Sequence, residues 1–383
     1  MPGSDANLSA FAGARRVVVK IGSSLFVDAD TGRLDTPWLE GLATDVADLH
    51  EAGKEVVIVS SGAVALGRRE LGLDARKARL EDNQAAAATG QILLAHAYKE
   101  LLGRHGIKVA QILLTLDDSE SRRRYLNASR TLTTLIRARV VPVINENDTV
   151  ATAELRYGDN DRLAGRVAQM ISADYLVILS DVDGLYSADP QVDSAARHIP
   201  EVRSLDPKLL EIAGGPGSRH GSGGMRTKLE AARIAVGAGC RMVIASGRVE
   251  RPITALRQGA RATWFLASSS PQAARKQWIA GSLKPKGRII VDAGAGLALT
   301  QGRSLLPAGV TAVDGSFEKG DAVSVVAVDG SELARGLVAY SHAEAAAIAG
   351  KRSDQIPGIL GYRGRNEIIH RDDLVLTRTD PSE

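Results

Sequence analysis

Short, continuously apolar runs recur along the chain: Val17-Val18-Val19, Val56-Val57-Ile58-Val59, Ile112-Leu113-Leu114, residues 140–144, Leu176-Val177-Ile178-Leu179 and Met242-Val243-Ile244. Each is too short for a helix and lacks the alternation of a half-buried strand. The pattern therefore predicts strands covered on both faces. Between them lie stretches of helical period. Over residues 36–52, Leu39, Leu42, Val46 and Leu49 fall on one face, and Gly53 stands where a C-cap glycine would. Residues 85–102 form another such stretch. Strands alternating with helices predict an α/β fold, an αβα sandwich around a mostly parallel, doubly wound sheet.

In such sheets ligands bind beyond the carboxyl ends of the strands. The turns expected there are Gly22-Ser23-Ser24, Ser60-Ser61-Gly62-Ala63, Asn145-Glu146-Asn147-Asp148 and Ser180-Asp181-Val182-Asp183-Gly184. Small, hydroxyl and carboxamide side chains gather where a polar ligand would lie. Lys20 ends the first strand, where a lysine can reach a phosphate while Gly22 lets the backbone approach it. A lysine capping a strand is also often just solvated. A stronger signal is Gly221-Ser222-Gly223-Gly224-Met225-Arg226-Thr227-Lys228, read as a loop before a helix over 229–236. Its N–H groups can form an anion-binding concavity, and a helix N-terminus adds partial positive charge. The order Gly-Lys-Ser/Thr is absent, so it is not a Walker A loop. Gly214-Gly215-Pro216-Gly217 upstream leaves a plain surface loop open, and His220 reads as solvated. Gly158-Asp159-Asn160-Asp161 follows Asn145-Glu146-Asn147-Asp148 closely, and the two clusters together could hold an amino acid and order the cationic groups, or could simply be an Asx-rich turn pair. Arg122-Arg123-Arg124 reads as a solvated helix face, with Ser119 and Glu120 as a helix start.

Composition narrows the class. The 383 residues carry 48 basic and 45 acidic side chains, a net charge of +3, and 44% are hydrophobic. That supports two or three packed domains and gives no general reason to expect nucleic acid or a membrane surface as partner. One cysteine, Cys240, excludes an intrachain disulfide, fits a reducing compartment and reads as a buried structural thiol. No basic-then-apolar leader and no run of spanning length is present, so a cytoplasmic protein is expected. The texture changes near Ser268-Ser269-Ser270-Pro271 and again at Lys284-Pro285-Lys286-Gly287. Beyond them, Ile289-Ile290-Val291, residues 322–327 and Gly336-Leu337-Val338-Ala339-Tyr340 predict a small C-terminal β-barrel-like domain.

Taken in order, these motifs resemble one family. Residues 17–24 (Val-Val-Val-Lys-Ile-Gly-Ser-Ser), 60–63, 141–148 (Val-Pro-Val-Ile-Asn-Glu-Asn-Asp), 158–161, 180–186 and 223–228 (Gly-Gly-Met-Arg-Thr-Lys) are similar to glutamate 5-kinases of the amino-acid kinase superfamily. Residues 304–310, followed by Gly315-Ser316-Phe317, resemble their C-terminal PUA domain. The likeness spans about residues 14–375 and implies a catalytic domain at 14–267, a linker at 268–285 and a PUA domain at 286–375. It implies that Lys20 and Lys228 contact the transferring phosphoryl group and that Asp161 holds both lysines. It further implies that Ser61, Asp148 and Asn160 bind glutamate. Lys20, Ser180, Asp181 and the segment Ser222, Gly223, Gly224, Met225, Arg226, Thr227 and Lys228 would bind ATP. No protein-held metal is implied, Mg²⁺ being carried mainly by the ATP phosphates. The resemblance also implies proline biosynthesis, feedback inhibition by proline, a dimeric or tetrameric homo-oligomer and a possible handover of product to glutamyl-phosphate reductase.

The chemistry suits these residue types. A glutamate side chain, with a pKa near ~4.3, is already ionised at neutral pH, so no general base is needed. The difficulty is the approach of two anions, which cations and positioning overcome. Two alternatives are distinguishable. Another amino-acid kinase, acting on acetylglutamate or aspartate, would lack the Asn-Glu-Asn-Asp block and the appended domain. An RNA-binding protein would use that domain on RNA, yet residues 284–383 hold 12 Lys plus Arg against 13 Asp plus Glu. RNA surfaces are usually basic.

Overall fold

The computed structural model describes residues 2–28, 31–74, 76–150, 160–190, 192–206, 209, 222–281 and 284–377. It divides into two compact units, 1–271 and 272–383.

The strands of the first unit are β1 (Arg16–Ile21), β2 (Glu55–Ser60), β3 (Lys108–Leu114), β4 (Val140–Glu146), β5 (Tyr175–Ser180), β6 (Leu185–Tyr186), β7 (His198–Ile199), β8 (Glu201–Val202), β9 (Arg241–Ser246) and β10 (Ala262–Phe265). Eight of them form one sheet in the order β3-β4-β2-β1-β5-β9-β10-β8, parallel throughout except for the antiparallel β10–β9 pair. β6 and β7 pair separately. The apolar runs became strands because helices cover both faces. These helices are α1 (Pro2–Gly13), α2 (Thr36–Glu51), α3 (Ala63–Glu70), α4 (Leu80–Arg104), α5 (Leu116–Glu120), α6 (Arg122–Arg137), α7 (Asn160–Met170), α8 (Ser222–Gly237) and α9 (Pro252–Arg257). Successive residues of a strand face opposite sides. Val17, Val19 and Ile21 pack with Trp38, Leu42, Val46 and Leu94 of α2 and α4. Val18 packs on the other side with Leu132, Leu163, Val167, Leu229 and Ala232 of α6, α7 and α8. The αβα sandwich follows directly.

Several local expectations changed on folding. α4 begins at Leu80, five residues before the start read from periodicity, because the Asp82 carboxylate accepts from the Arg79 N–H at 2.9 Å and holds the first turn. β3 is the sheet edge and stays partly exposed, so its run is not buried on both faces. The basic helix α6 starts at Arg122 with Ser121 as its N-cap; Ser119 and Glu120 instead end α5, whose start is held by Thr115 and Asp118. The stretch read as a linker, 268–285, contains the helix Pro271–Gly281. Cys240 is fully buried.

The second unit has the sheet β12-β11-β13-β14-β15, built from β11 (Gly287–Val291), β12 (Val310–Gly315), β13 (Ala322–Ala327), β14 (Glu332–Leu337) and β15 (Leu374–Leu376). It is antiparallel except between β11 and β13. Its core includes Ile289, Val291, Val323, Val325, Val338, Tyr340, Ile348 and Ile369. Burial beside Glu367 and Glu344 pushes the Tyr340 phenol up to about 12. Among the described residues no helix is long and apolar enough to cross a membrane.

Candidate active site

The carboxyl ends of four neighbouring parallel strands meet at one level of the sheet. Ile21 of β1 is in register with Ser60 of β2 and with Leu179 of β5, and Val59 of β2 with Ile144 of β4. The turns that leave these strands therefore converge. They open a cleft of about 510 Å³ lined by Lys20, Gly22 to Ser24, Ser61 to Ala65, Arg68, Asn145, Glu146, Asp148, Asn160, Leu179, Ser180, Asp181 and Lys228.

At its base lies a buried ion triad. Lys20 shares the strand parity of Val18, so its side chain points toward α7 and α8. Asp161, at the start of α7, is 0% exposed. Lys20 Nζ lies 2.5 Å from its Oδ1, and Lys228 Nζ lies 3.0 Å from its Oδ2. One carboxylate thus holds two ammonium groups that would otherwise repel, and both lysines line the cleft. Burying three charges is tolerable only because they are paired and hydrogen-bonded.

Lys228 does not sit on a loop before a helix, as the glycine run suggested. α8 begins at Ser222, so Lys228 lies in its second turn. The glycines supply the helix start itself. Helical spacing lets Lys228 Nζ donate back to the Gly224 carbonyl at 3.2 Å. Thr227 Oγ1 lies 3.2 Å from Asp161 Oδ2 and 3.0 Å from Gly224 O. Met225 packs against the core, and Arg226 is exposed and paired with Glu230 at 3.3 Å. Neither lines the cleft. Ser222 and Gly223 open the helix; the Ser222 side chain, together with Gly158, Asp159, His220 and Gly221, lies outside the described residues.

The opposite wall is made of amides and hydroxyls. Asn160 Nδ2 reaches Ser61 Oγ at 2.8 Å, the Ser60 carbonyl at 3.0 Å and Asn145 Oδ1 at 2.8 Å. Asp148 stands beside them in the lining. Gly62 is the N-cap of α3 at φ +106°, a conformation that favours glycine and turns the chain sharply from β2 into the helix. Ser180 Oγ donates to Asp181 Oδ1 at 3.0 Å, and Arg248 Nε donates to the Asp181 carbonyl at 3.1 Å. The structure therefore brings together Lys20, Ser61, Asp148, Asn160, Asp161, Ser180, Asp181 and Lys228. Sequence reasoning missed Arg68, whose guanidinium is held by Asn83 Oδ1 at 2.6 and 2.9 Å. Its place on α3, seven residues after Ser61, was the available signal. It also missed Arg248 and the buried Gln91. Chemically, the arrangement offers fixed cations at one end of a polar cleft and donors and acceptors for a small zwitterion at the other.

The parallel αβα sheet is the fold of the amino acid kinase class, and the model of the amino acid kinase family matches residues 15–246. The PUA domain model matches residues 287–360. A glutamate 5-kinase from Paramagnetospirillum magneticum is 61% identical over 369 residues, covering 96% of this chain and 100% of that protein. Glutamate 5-kinases from Rhodospirillum rubrum and Paracoccus denitrificans are each 58% identical, over 94% and 95% of this chain and 96% and 97% of theirs. The chain belongs to the glutamate 5-kinase family, within the amino acid kinases, and is a kinase with a C-terminal PUA domain.

Proposed function

We propose that the protein transfers the γ-phosphoryl group of ATP to the side-chain carboxylate of L-glutamate, giving L-glutamyl 5-phosphate. The observation that carries this reading is the pair of lysines fixed on Asp161 at the floor of a cleft whose far wall is built from Ser61, Asn160 and Asp148. Relatives named glutamate 5-kinase, identical at more than half of their aligned positions, supply the substrate.

In this reading glutamate lies against Ser61, Asp148 and Asn160, with its side-chain carboxylate toward Lys20. ATP lies along Ser180, Asp181 and the segment Ser222–Lys228, where the N-terminal N–H groups of α8 meet its phosphates. Lys20 and Lys228 neutralise charge spreading over the transferring phosphoryl oxygens, and Asp161 keeps them at the spacing the transfer requires. Asp161 is engaged by both lysines, so it is not a free metal ligand. Among the described residues no cluster of three or more His, Cys, Asp or Glu could hold an ion. The donor set fits Mg²⁺ held by the ATP phosphates, where the ion offsets their charge.

The reading extends to a cytoplasmic enzyme catalysing the first step of proline biosynthesis, inhibited by proline, assembled as a dimer or tetramer and able to pass its product to glutamyl-phosphate reductase. It assigns catalysis to residues 14–267, a linker to 268–285 and the PUA domain to 286–375. The test is ATP turnover with Mg²⁺ across glutamate, N-acetylglutamate, aspartate and no acceptor, each with and without proline. Glutamate-dependent turnover suppressed by proline is the expected result. Turnover with a different acceptor would move the substrate assignment and leave the lysine roles in place.

A further inference from the structure

Two side-chain amides to which the proposed reaction gives no role, Gln91 and Asn145, form a chain with the Asn160 amide. Asn145 Nδ2 donates to Gln91 Oε1 at 2.8 Å. Asn145 Oδ1 accepts from the Glu146 N–H at 2.9 Å and from Asn160 Nδ2 at 2.8 Å. Asn160 Nδ2 also faces the Ser60 carbonyl at 3.0 Å and Ser61 Oγ at 2.8 Å, so its two hydrogens are shared among three acceptors. Gln91, Asn145 and Asn160 are 7%, 2% and 8% exposed.

An amide can be turned end for end, so its direction must be set by groups whose role is not reversible. Two backbone groups set it here. The Glu146 N–H can only donate, so the Asn145 atom facing it is oxygen. The Ser60 carbonyl can only accept, so the Asn160 atom facing it is nitrogen. The Asn145 nitrogen then points at Gln91, where only the oxygen of Gln91 can meet it.

This leaves Asn160 Oδ1 buried with no hydrogen-bond partner among the described residues. Asn160 lines the cleft. A buried acceptor without a donor is unfavourable, and a donor on a ligand removes that cost. Ser61 Oγ already accepts from Asn160, so its own hydrogen is left to donate. The pair therefore presents one acceptor and one donor, the complement of an ammonium next to a carboxylate.

We propose that Gln91 and Asn145 are positioning residues that, together with the Ser60 carbonyl, lock the Asn160 amide with its oxygen available to the α-ammonium of the amino-acid substrate, leaving the Ser61 hydroxyl for a carboxylate. The inference rests on glutamate being the acceptor. Gln91 does not touch the cleft; it acts by holding Asn145, whose nitrogen would otherwise be buried without an acceptor.

Two variants of matched size separate orientation from packing. Gln91→Met removes the accepting oxygen, whereas Gln91→Glu keeps one whether ionised or not. Gln91→Met is expected to raise the KM for glutamate by about tenfold or more while the KM for ATP stays within about twofold. Gln91→Glu should stay within about threefold of the parent for both substrates. If Gln91→Met does not fold, Asn145→Ala, which cuts the chain one link nearer the cleft, is measured for the same glutamate-selective effect. An unchanged glutamate KM in Gln91→Met, equal shifts in Gln91→Met and Gln91→Glu, or parallel shifts for glutamate and ATP would each overturn the proposal. Absence of glutamate turnover in the parent enzyme would overturn the functional reading and this inference together; normal parent turnover confines a failure to the relay.

Discussion

At the scale of single residues, Asp161 decides how the two cations behave. It is wholly buried and touches Lys20 and Lys228 at once. Asp161→Asn would leave two ammonium groups facing each other without a counter-charge. Removing one member of a buried ion pair typically costs about 3–5 kcal/mol, so denaturant unfolding should report a stability loss of that order. Lys228→Ala removes charge from the proposed phosphoryl site and should cut turnover at saturating substrates by about 10³–10⁵, by analogy with other cations on a transferring phosphoryl group. Retention of more than about a tenth of parental turnover would show that Lys228 has another role. Ser61→Ala and Asn160→Ala should raise the KM for glutamate more than that for ATP, and titration of each substrate distinguishes the two. Cys240 behaves differently from these polar groups. Burial, with Asp174 nearby, pushes its thiol well above the usual cysteine range. Thiolate is the reactive form, so a thiol reagent should label the single cysteine only as the protein unfolds.

At the scale of elements, close backbone approach sets the shape of the cleft wall. A Cβ on Gly67 of α3 would fall 1.7 Å from the Ala86 carbonyl oxygen, and one on Gly90 of α4 would fall 1.8 Å from that of Ala63. The two helices touch along their main chains, which places Gln91 beside the start of α3 and under the cleft. Gly90→Ala must push α3 away. It should destabilise the protein by about 1–3 kcal/mol and weaken glutamate use, because residues 63–65 line the site. Thermal unfolding and the glutamate KM together test this; a stable variant with an unchanged KM would mean that the helix contact does not shape the cleft. Asp45 performs a comparable task on the far side. Its buried carboxylate accepts from the N–H groups of Ile253 at 2.8 Å and Thr254 at 3.2 Å and pairs with Arg251 at 3.2 Å, tying α2 to the start of α9.

At the scale of the whole molecule, each unit closes its own core. Among the described residues, the cluster built on Ile289, Val323 and Tyr340 draws only on the second unit, and the two clusters flanking the large sheet draw only on the first. Fragments 1–271 and 272–383 should therefore each unfold cooperatively when heated alone, followed by circular dichroism. A broad, non-cooperative melt of either would show that its core depends on the other.

The sequence by itself determined the alternation of strands and helices, the change to a β-rich C-terminal unit and the polar turns that carry the site. These are written in local periodicity and in residue types that suit turns. Lys20, Ser61, Asp148, Asn160, Asp161, Ser180, Asp181 and Lys228 could all be named from their motifs before any geometry was known. The family resemblance implied that Asp161 holds both lysines; only the tertiary structure decided how, because strand parity, the start of α7 and the second turn of α8 must coincide in space for both ammonium groups to meet its carboxylate. It also decided that Arg226 turns to the surface beside Glu230, that Lys228 belongs to a helix, and that Gln91 completes an amide chain behind the site. Local sequence fixes which residues can form an element. Which side chains face one another across elements depends on sheet order, register and the few places where two backbones can touch.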